Sequence, residues 1–182
     1  DLSVLFMRER THPCAREVRR QVEGEGMRVA MLTTYPDFTH PEAAQRLREL
    51  ELEREAVGLA AEMGVDLGRV TAGQAHPGGA RRDGIGWAVE GLTRLIEASH
   101  GSGVTLAYEN HAKPGAWAYT DFSQPPDIFL EIARATAEVG LAINFDTGNA
   151  YLCGHDVYAW LERVASRLVH LHAKDISVSH SE

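Results

Sequence analysis

Side chains that are able to bind metals and transfer protons are concentrated in LVHLHAKD, residues 168–175. Because side chains alternate between the two faces of a β-strand, we expect His170, His172 and Lys174 to share one face. The other face carries only apolar residues and is expected to be core: Val169, Leu171 and Ala173. Imidazole binds metals and carries protons near neutral pH, so the first face predicts a functional site. A core strand with two hydrogen-bonded histidines explains this stretch equally well.

Two further predicted strands end on carboxylates. In VTLAYENH (104–111) and LAINFDTGNA (141–150), the large apolar residues share one face, and small or polar residues share the other. The polar faces end on Glu109 and Asp146. Two carboxylates and the imidazole of His172 that converge on one point suit a divalent ion such as Mn, Mg, Co or Zn. The alternative is chance, because strand ends are often polar.

Strand-like and helix-like segments alternate along the whole chain. Six strands are predicted, at residues 1–7, 27–34, 67–74, 104–111, 141–146 and 168–175. Helical patterns separate them, which predicts parallel strands with helices outside. An open doubly wound sheet and a (β/α)8 barrel both have this order. The small and polar inner residues favour the barrel, because an open sheet would bury aliphatic residues on both faces.

The composition is that of an ordinary globular domain. The 182 residues are 44% hydrophobic and 24% charged, with a net charge of −8. The acidic balance argues against non-specific nucleic-acid binding. The sequence has no apolar run of about 18 residues, so no membrane span is predicted. Cys14 and Cys153 match no metal or redox spacing, so we expect free thiols. Without a recognisable signal peptide, the expected location is cytoplasmic.

Three late segments resemble a known family. YENH at 108–111, NFDTGNA at 144–150 and HLHAKD at 170–175 resemble motifs of the sugar phosphate isomerase/epimerase family, the xylose isomerase-like TIM barrels. RVTAG at 69–73 resembles the end of that family's fourth strand. Ketose 3-epimerases, hydroxypyruvate isomerase and inosose dehydratase belong to this group, and endonuclease IV is a more distant relative. The resemblance implies a metal-dependent isomerase or epimerase that acts on a small sugar through an enediolate.

The resemblance also implies roles for individual residues. The implied metal ligands are Glu109, Asp146 and His172. Glu109 would also be a catalytic carboxylate, and His170 would lie one layer deeper. Asn149 falls where many members have a substrate-contacting histidine, in DTGH. Lys174 and His111 are expected to orient substrate hydroxyls, although His111 is equally well explained as a structural cap of its loop.

The sequence departs from the family in two respects. Epimerases tend to carry an arginine six residues after the metal histidine, where this chain has Val178. A complete barrel takes roughly 200–250 residues, and the six predicted strands match the family's second to seventh. The eighth strand would carry the last glutamate, a ligand and second catalytic carboxylate. We therefore predict a single domain over residues 1–182, an incomplete TIM barrel whose open edges favour homo-oligomers.

Two other functions fit the same pattern. A lyase that dehydrates a keto-cyclitol or dehydroshikimate-like compound would share the metal and the enolate step, with loop residues near Trp117 and Tyr119 selecting the substrate. A non-catalytic binding domain derived from the barrel would explain the missing glutamate. Endonuclease chemistry would need a richer histidine cluster and a basic face. The expected partner is a small sugar-like molecule, with no nucleic acid and no membrane.

Overall fold

A computed structural model describes residues 1–113, 115–174 and 176. All six strands are parallel and join one sheet in chain order, β1 to β6. They span Leu2–Ser3, Leu32–Thr33, Leu67–Val70, Thr105–Glu109, Ala142–Asp146 and Leu168–His172. A doubly wound sheet reverses its strand order at a switch point, and this order has no reversal. The sheet is therefore the predicted incomplete barrel, curled into a half-barrel.

The helices connect successive strands. They are α1 (His12–Gly24), α2 (Ala43–Glu62), α3 (Arg81–Ser99), α4 (Pro126–Ala135), α5 (Thr147–Leu152) and α6 (Val157–Val164). Short 3₁₀ helices cover Val4–Phe6 and Ala165–Arg167. None of the helices in the described ranges combines the length and apolar character needed to cross a membrane.

The core lies between the helices and one face of the sheet. Tyr108 of β4 stacks on Phe129 of α4, with ring centroids 4.6 Å apart. Trp160 of α6 packs edge-on against Phe129 and against Phe145 of β5. Full burial of such a side chain contributes roughly 1.5–3 kcal/mol. The large residues of β4 and β5 are used in this way, which leaves small and polar residues of these strands for the concave face.

The concave face is strongly curved. Asp1 directly precedes β1 at one edge of the sheet, and His172 ends β6 at the other edge. Asp1 Oδ2 nevertheless lies 2.6 Å from His172 Nε2. The two edges of the half-barrel therefore approach each other closely enough for a side-chain contact.

Two predictions about the edge strands are wrong. The first strand is much shorter than residues 1–7, because the Ser3 hydroxyl accepts a hydrogen bond from Leu5 N and starts a 3₁₀ turn. The outer face of β6 is not core, since Val169 and Leu171 are 46% and 42% exposed. Trp160 of the preceding helix packs on Phe145 of β5 instead of on these residues.

Candidate active site

Three adjacent strands bring the predicted triad together at their carboxyl ends. Glu109 ends β4, Asp146 ends β5 and His172 ends β6, and Asp146 is paired with His172 in the sheet register. His172 Nδ1 lies 2.6 Å from Glu109 Oε1 and 3.5 Å from Asp146 Oδ2. One ligand atom from each residue lies within 4.8 Å of the others. This spacing and donor set fit a single divalent cation.

Cationic side chains compensate the two buried carboxylates, each only 1% exposed. Lys174 Nζ lies 2.5 Å from Asp146 Oδ2, and Arg69 Nε lies 3.2 Å from Glu109 Oε2. Burial pushes both carboxyl pKa values upward, but the hydrogen bonds with His172 and these two cations leave both pKa values below the usual range. Both carboxylates are therefore ionised at neutral pH and able to act as metal ligands.

His172 responds to the same environment in the opposite direction. Hydrogen bonds with Asp146 and Glu109 raise its pKa to about 9, although burial opposes the shift. The imidazole is consequently cationic at neutral pH when no metal is bound. Because imidazole coordinates metals in its neutral form, metal binding must release this proton.

Two asparagines next to the triad hold the strand ends in place. Asn110 Nδ2 donates to Asp146 O at 2.9 Å, and Asp146 N donates to Asn110 Oδ1 at 2.7 Å. Asn144, one layer deeper, donates from Nδ2 to Glu109 Oε1 at 3.0 Å. Asp146 Oδ1 also accepts from Asn149 N at 2.8 Å and so caps α5. These bonds fix the carboxylates before any ligand arrives.

The three predicted substrate contacts have different surroundings. His111 Nε2 lies 3.9 Å from Glu109 Oε2, and burial lowers the pKa of His111 to about 4, so the ring is neutral. Its buried Nδ1 has no hydrogen-bond partner within the part of the chain that the structure describes. Asn149 is mostly buried and donates from Nδ2 to Asn110 O at 3.1 Å. Lys174 Nζ also lies 3.4 Å from Asn149 Oδ1.

Gly148 makes room for Lys174. A Cβ atom at position 148 would lie 2.6 Å from Lys174 Cδ and 2.8 Å from its Cβ. The side chain of Lys174 therefore crosses α5 at its glycine to reach Asp146. The Val178 position, at which epimerases tend to have arginine, lies outside the described residues.

His170 lies one layer deeper than His172, as the resemblance implies, because the sheet register pairs it with Asn144; it also approaches Asp1 at the opposite edge of the sheet. His170 Nε2 lies 3.7 Å from Asp1 Oδ1, and its ring is edge-on to His172 at 5.4 Å. Asp1, His170 and His172 form a second group whose ligand atoms lie within 4.8 Å of one another. The sequence did not indicate that Asp1 would join this group, because Asp1 does not lie at the carboxyl end of a predicted strand.

Arg69 is the main site residue that sequence reasoning missed. Its guanidinium lies 4.2 Å from the centroid of the Tyr35 ring, and Nη1 donates to Thr34 O at 2.6 Å. Tyr35 in turn is edge-on to His111 at 5.8 Å and to Trp117 at 6.5 Å. The available signal was the charge itself, because Arg69 is the one charged residue in LGRVTAGQ.

Solved structures with the same fold include several sugar enzymes. A D-tagatose 3-epimerase-like protein is 16% identical, with a TM-score of 0.75 over 91% of this chain and 63% of its own. A 3-keto-D-glucoside 4-epimerase from E. coli is 15% identical, with a TM-score of 0.72 over 88% and 64%. A probable 3-DHS dehydratase from Bacillus anthracis is 18% identical, with a TM-score of 0.70 over 96% and 60%. This chain thus spans 60–64% of the length of these proteins.

The sequence itself matches a family model. No curated protein sequence gives a significant match. The model for the xylose isomerase-like TIM barrel matches residues 5–181, nearly the whole chain. The chain therefore belongs to the xylose isomerase-like TIM barrel family.

Proposed function

We propose that this chain carries the active site of a divalent-metal-dependent isomerase or epimerase that acts on a small sugar or sugar derivative through an enediolate. The observation that carries the proposal is the convergence of Glu109, Asp146 and His172 at the carboxyl ends of adjacent strands. In TIM barrels this end of the sheet is where catalytic residues lie. The similarity to structures of sugar epimerases supports the same class of substrate.

Glu109 combines two roles in this proposal. Its Oε1 faces His172 and Asn144, whereas its Oε2 faces Arg69 and His111. A bound divalent ion would stabilise the negative charge that develops on the substrate oxygens. Glu109, kept ionised by Arg69, accepts the proton from the carbon next to the substrate carbonyl. In an isomerisation the resulting carboxylic acid returns the proton to the neighbouring carbon of the enediolate, whereas epimerisation requires a second acid on the opposite face. Because its pKa is lowered, Glu109 is a weak base and depends on a substrate made acidic by the ion.

Two neighbouring side chains orient the substrate. His111 is neutral and its Nε2 faces Glu109, while its Nδ1, which has no partner among the described residues, offers a hydrogen-bonding atom. The Lys174 ammonium at present compensates Asp146. A divalent ion would take over that compensation, so that Lys174 becomes free to bind a substrate oxygen.

A dehydratase is the second candidate. The probable 3-DHS dehydratase of Bacillus anthracis shares its fold with 96% of this chain. Such a lyase removes the same kind of proton next to a carbonyl, and it differs only in the loss of a hydroxyl group afterwards. The product therefore separates the two candidates: an isomer keeps the mass of the substrate, and dehydration lowers it by one water.

The first test is metal binding. We expect calorimetric titration with Mn²⁺ to give one site, and His172→Ala to weaken binding by at least about tenfold, because a ligand is lost. His12→Ala is the matched control, since His12 pairs with Glu62 on the helical surface. Equal Mn²⁺ affinity of the parent and His172→Ala would contradict the proposed metal site.

The second test is proton exchange. We expect the Mn²⁺-loaded protein in D₂O to exchange the hydrogen next to the carbonyl of D-tagatose, D-allulose or L-ribulose, followed by proton NMR. Glu109→Gln should abolish exchange, because an amide does not accept the proton. A protein that binds Mn²⁺ but exchanges none of these ketoses and dehydrates no keto-cyclitol would instead be the non-catalytic binding domain.

A further inference from the structure

A second buried acid–histidine pair lies in the loops that follow β2 and β3. Asp37 Oδ2 lies 2.8 Å from His76 Nε2, and both side chains are largely buried. Neither residue belongs to the triad. Both loops leave the carboxyl ends of their strands, which is the end of the sheet that carries Glu109, Asp146 and His172.

The hydrogen bonds of Asp37 determine how His76 is oriented. Asp37 Oδ1 accepts from Gln74 N at 2.9 Å and from Thr39 Oγ1 at 3.1 Å, and Oδ2 accepts from Gln74 Nε2 at 2.8 Å. Gln74 supplies two of these donors, and the 2.8 Å contact fits donation from His76 Nε2 to Asp37 Oδ2. In that arrangement Nδ1 is the ring nitrogen left to bind a ligand, and the described residues provide no hydrogen-bond donor for it.

Gln74 connects this pair to the long loop after β4. Its Oε1 accepts from Ala118 N at 2.9 Å and from Tyr119 N at 3.2 Å. The Tyr119 ring is edge-on to His76 at 5.4 Å and remains 40% exposed. Backbone bonds from Ala75 N to Thr120 O and from Phe122 N to Gly73 O also fasten the loop, so the loop does not need His76 to hold it. Holding the loop in place therefore does not explain why the imidazole of His76 lies beside the exposed ring of Tyr119.

Between the Asp37–His76 pair and the triad, further aromatic and polar side chains contact one another and form a continuous wall. Trp117, two residues before Tyr119, is buried and faces Tyr35 at 6.5 Å. Tyr35 contacts both His111 and Arg69, which are next to Glu109. Ligand sites are typically lined by aromatic rings with a few fixed polar groups, and this wall has that character.

We propose that His76 and Tyr119 form a sugar-binding subsite for the part of the substrate that lies away from the reacting carbonyl. His76 Nδ1 accepts a hydrogen bond from a substrate hydroxyl, and the exposed ring of Tyr119 packs against the carbon skeleton. Asp37 positions the imidazole, and Gln74 holds the loop that carries Tyr119. This inference rests on the proposed function and names the residues that choose among sugars.

The affinity for a ketose tests the subsite. With the Mg²⁺-loaded protein and D-tagatose as the probe, NMR titration should give a dissociation constant that rises about tenfold in His76→Leu and in Tyr119→Ala. The Mg²⁺ affinity should stay within about twofold in both variants, because neither residue is near a proposed metal ligand. His12→Leu, on the outer helical surface, is the control and should bind D-tagatose like the parent.

The tautomer of His76 gives a test that does not depend on a variant folding. Nitrogen-15 NMR of the parent should show a protonated Nε2 and a bare Nδ1, and Asp37→Asn should disturb this preference. A protonated Nδ1 in the parent would overturn the inference, as would folded His76→Leu with unchanged D-tagatose affinity.

The outcome also separates this inference from the proposed function. If the parent binds D-tagatose and His76→Leu binds it equally well, only the subsite is refuted. If the parent binds none of D-tagatose, D-allulose and L-ribulose, the sugar-enzyme proposal fails, and the subsite falls with it.

Discussion

Two pairs of buried carboxyl groups in this chain have pKa values shifted in opposite directions. Glu109 and Asp146 lie beside Arg69, Lys174 and His172, and their pKa values are lowered despite burial. Glu53 and Asp121 are equally buried but lack such close cations, and burial raises their pKa values to about 7 and about 8. Burial alone therefore does not mark the candidate site. The distinguishing feature is a cation within contact distance of each carboxylate.

The carboxyl groups of the second pair, Glu53 and Asp121, accept hydrogen bonds from uncharged donors. Glu53 on α2 accepts a hydrogen bond of 2.5 Å from the Thr34 hydroxyl. Asp121 Oδ1 accepts from the Ser123 amide and hydroxyl, each at 2.7 Å, while its Oδ2 has no partner among the described residues. The Glu53 carboxyl links α2 to the end of β2, and the Asp121 carboxyl closes a turn within its own loop. Near pH 7 Asp121 is mainly protonated, and Glu53 is about half protonated.

The strongest test of this contrast removes the cation beside Glu109. Arg69→Met should lower the free energy of unfolding by about 3–5 kcal/mol, because it leaves a buried charge uncompensated. Urea unfolding at neutral pH measures the loss. Arg69→Met combined with Glu109→Gln should recover part of it. A loss below about 1 kcal/mol in the single variant would mean that Glu109 does not depend on Arg69.

The pH dependence of stability tests Asp121. Its folded pKa of about 8 lies above the ordinary aspartate value of 3.8, so its contribution is complete below pH 3.8 and disappears as the pH rises through 8. Asp121→Asn should remove this dependence and stabilise the protein relative to the parent at pH 8, on the order of 2 kcal/mol. Urea titrations at several pH values measure this, and parallel curves for parent and variant would contradict it.

Glu53 should show the same sign over a narrower range. Its folded pKa of about 7 lies above the ordinary glutamate value of 4.5, so its contribution is lost as the pH rises from 4.5 through 7. Glu53→Gln should therefore flatten the stability curve in this interval, with a smaller effect than Asp121→Asn. Loss of stability in Glu53→Gln across this whole interval would indicate an ionised Glu53 in the folded protein.

The smallest effect on stability is expected at solvent-exposed ion pairs. Arg81 contacts Asp127 and Glu131 across the helical surface, and all three side chains are exposed. Because solvent screens such pairs, Arg81→Met should leave the urea midpoint unchanged. A clear shift of the urea midpoint in Arg81→Met would show that exposed ion pairs also stabilise this fold, contrary to the contrast drawn here with buried pairs.

The sequence predicted the parts of this site that follow strand periodicity. Glu109, Asp146 and His172 end strands whose alternation is regular, so parallel pairing necessarily brought them to one edge of the sheet. Arg69 was missed because periodicity gives the face of a residue but not the partner that allows a charge to be buried. Asp37 and His76 were missed because loops have no period. The outer face of β6 was misjudged because apolar alternation does not reveal whether a helix covers it.

Gly148 has a consequence for which substitutions the chain tolerates. Any side chain at this position would collide with Lys174, whereas a Cβ atom at the exposed helical Gly86 meets nothing within 4 Å. In a library of random variants selected for retained activity, position 86 should accept many residues, and alanine there should even favour the helix. Position 148 should remain glycine as long as Lys174 must reach Asp146.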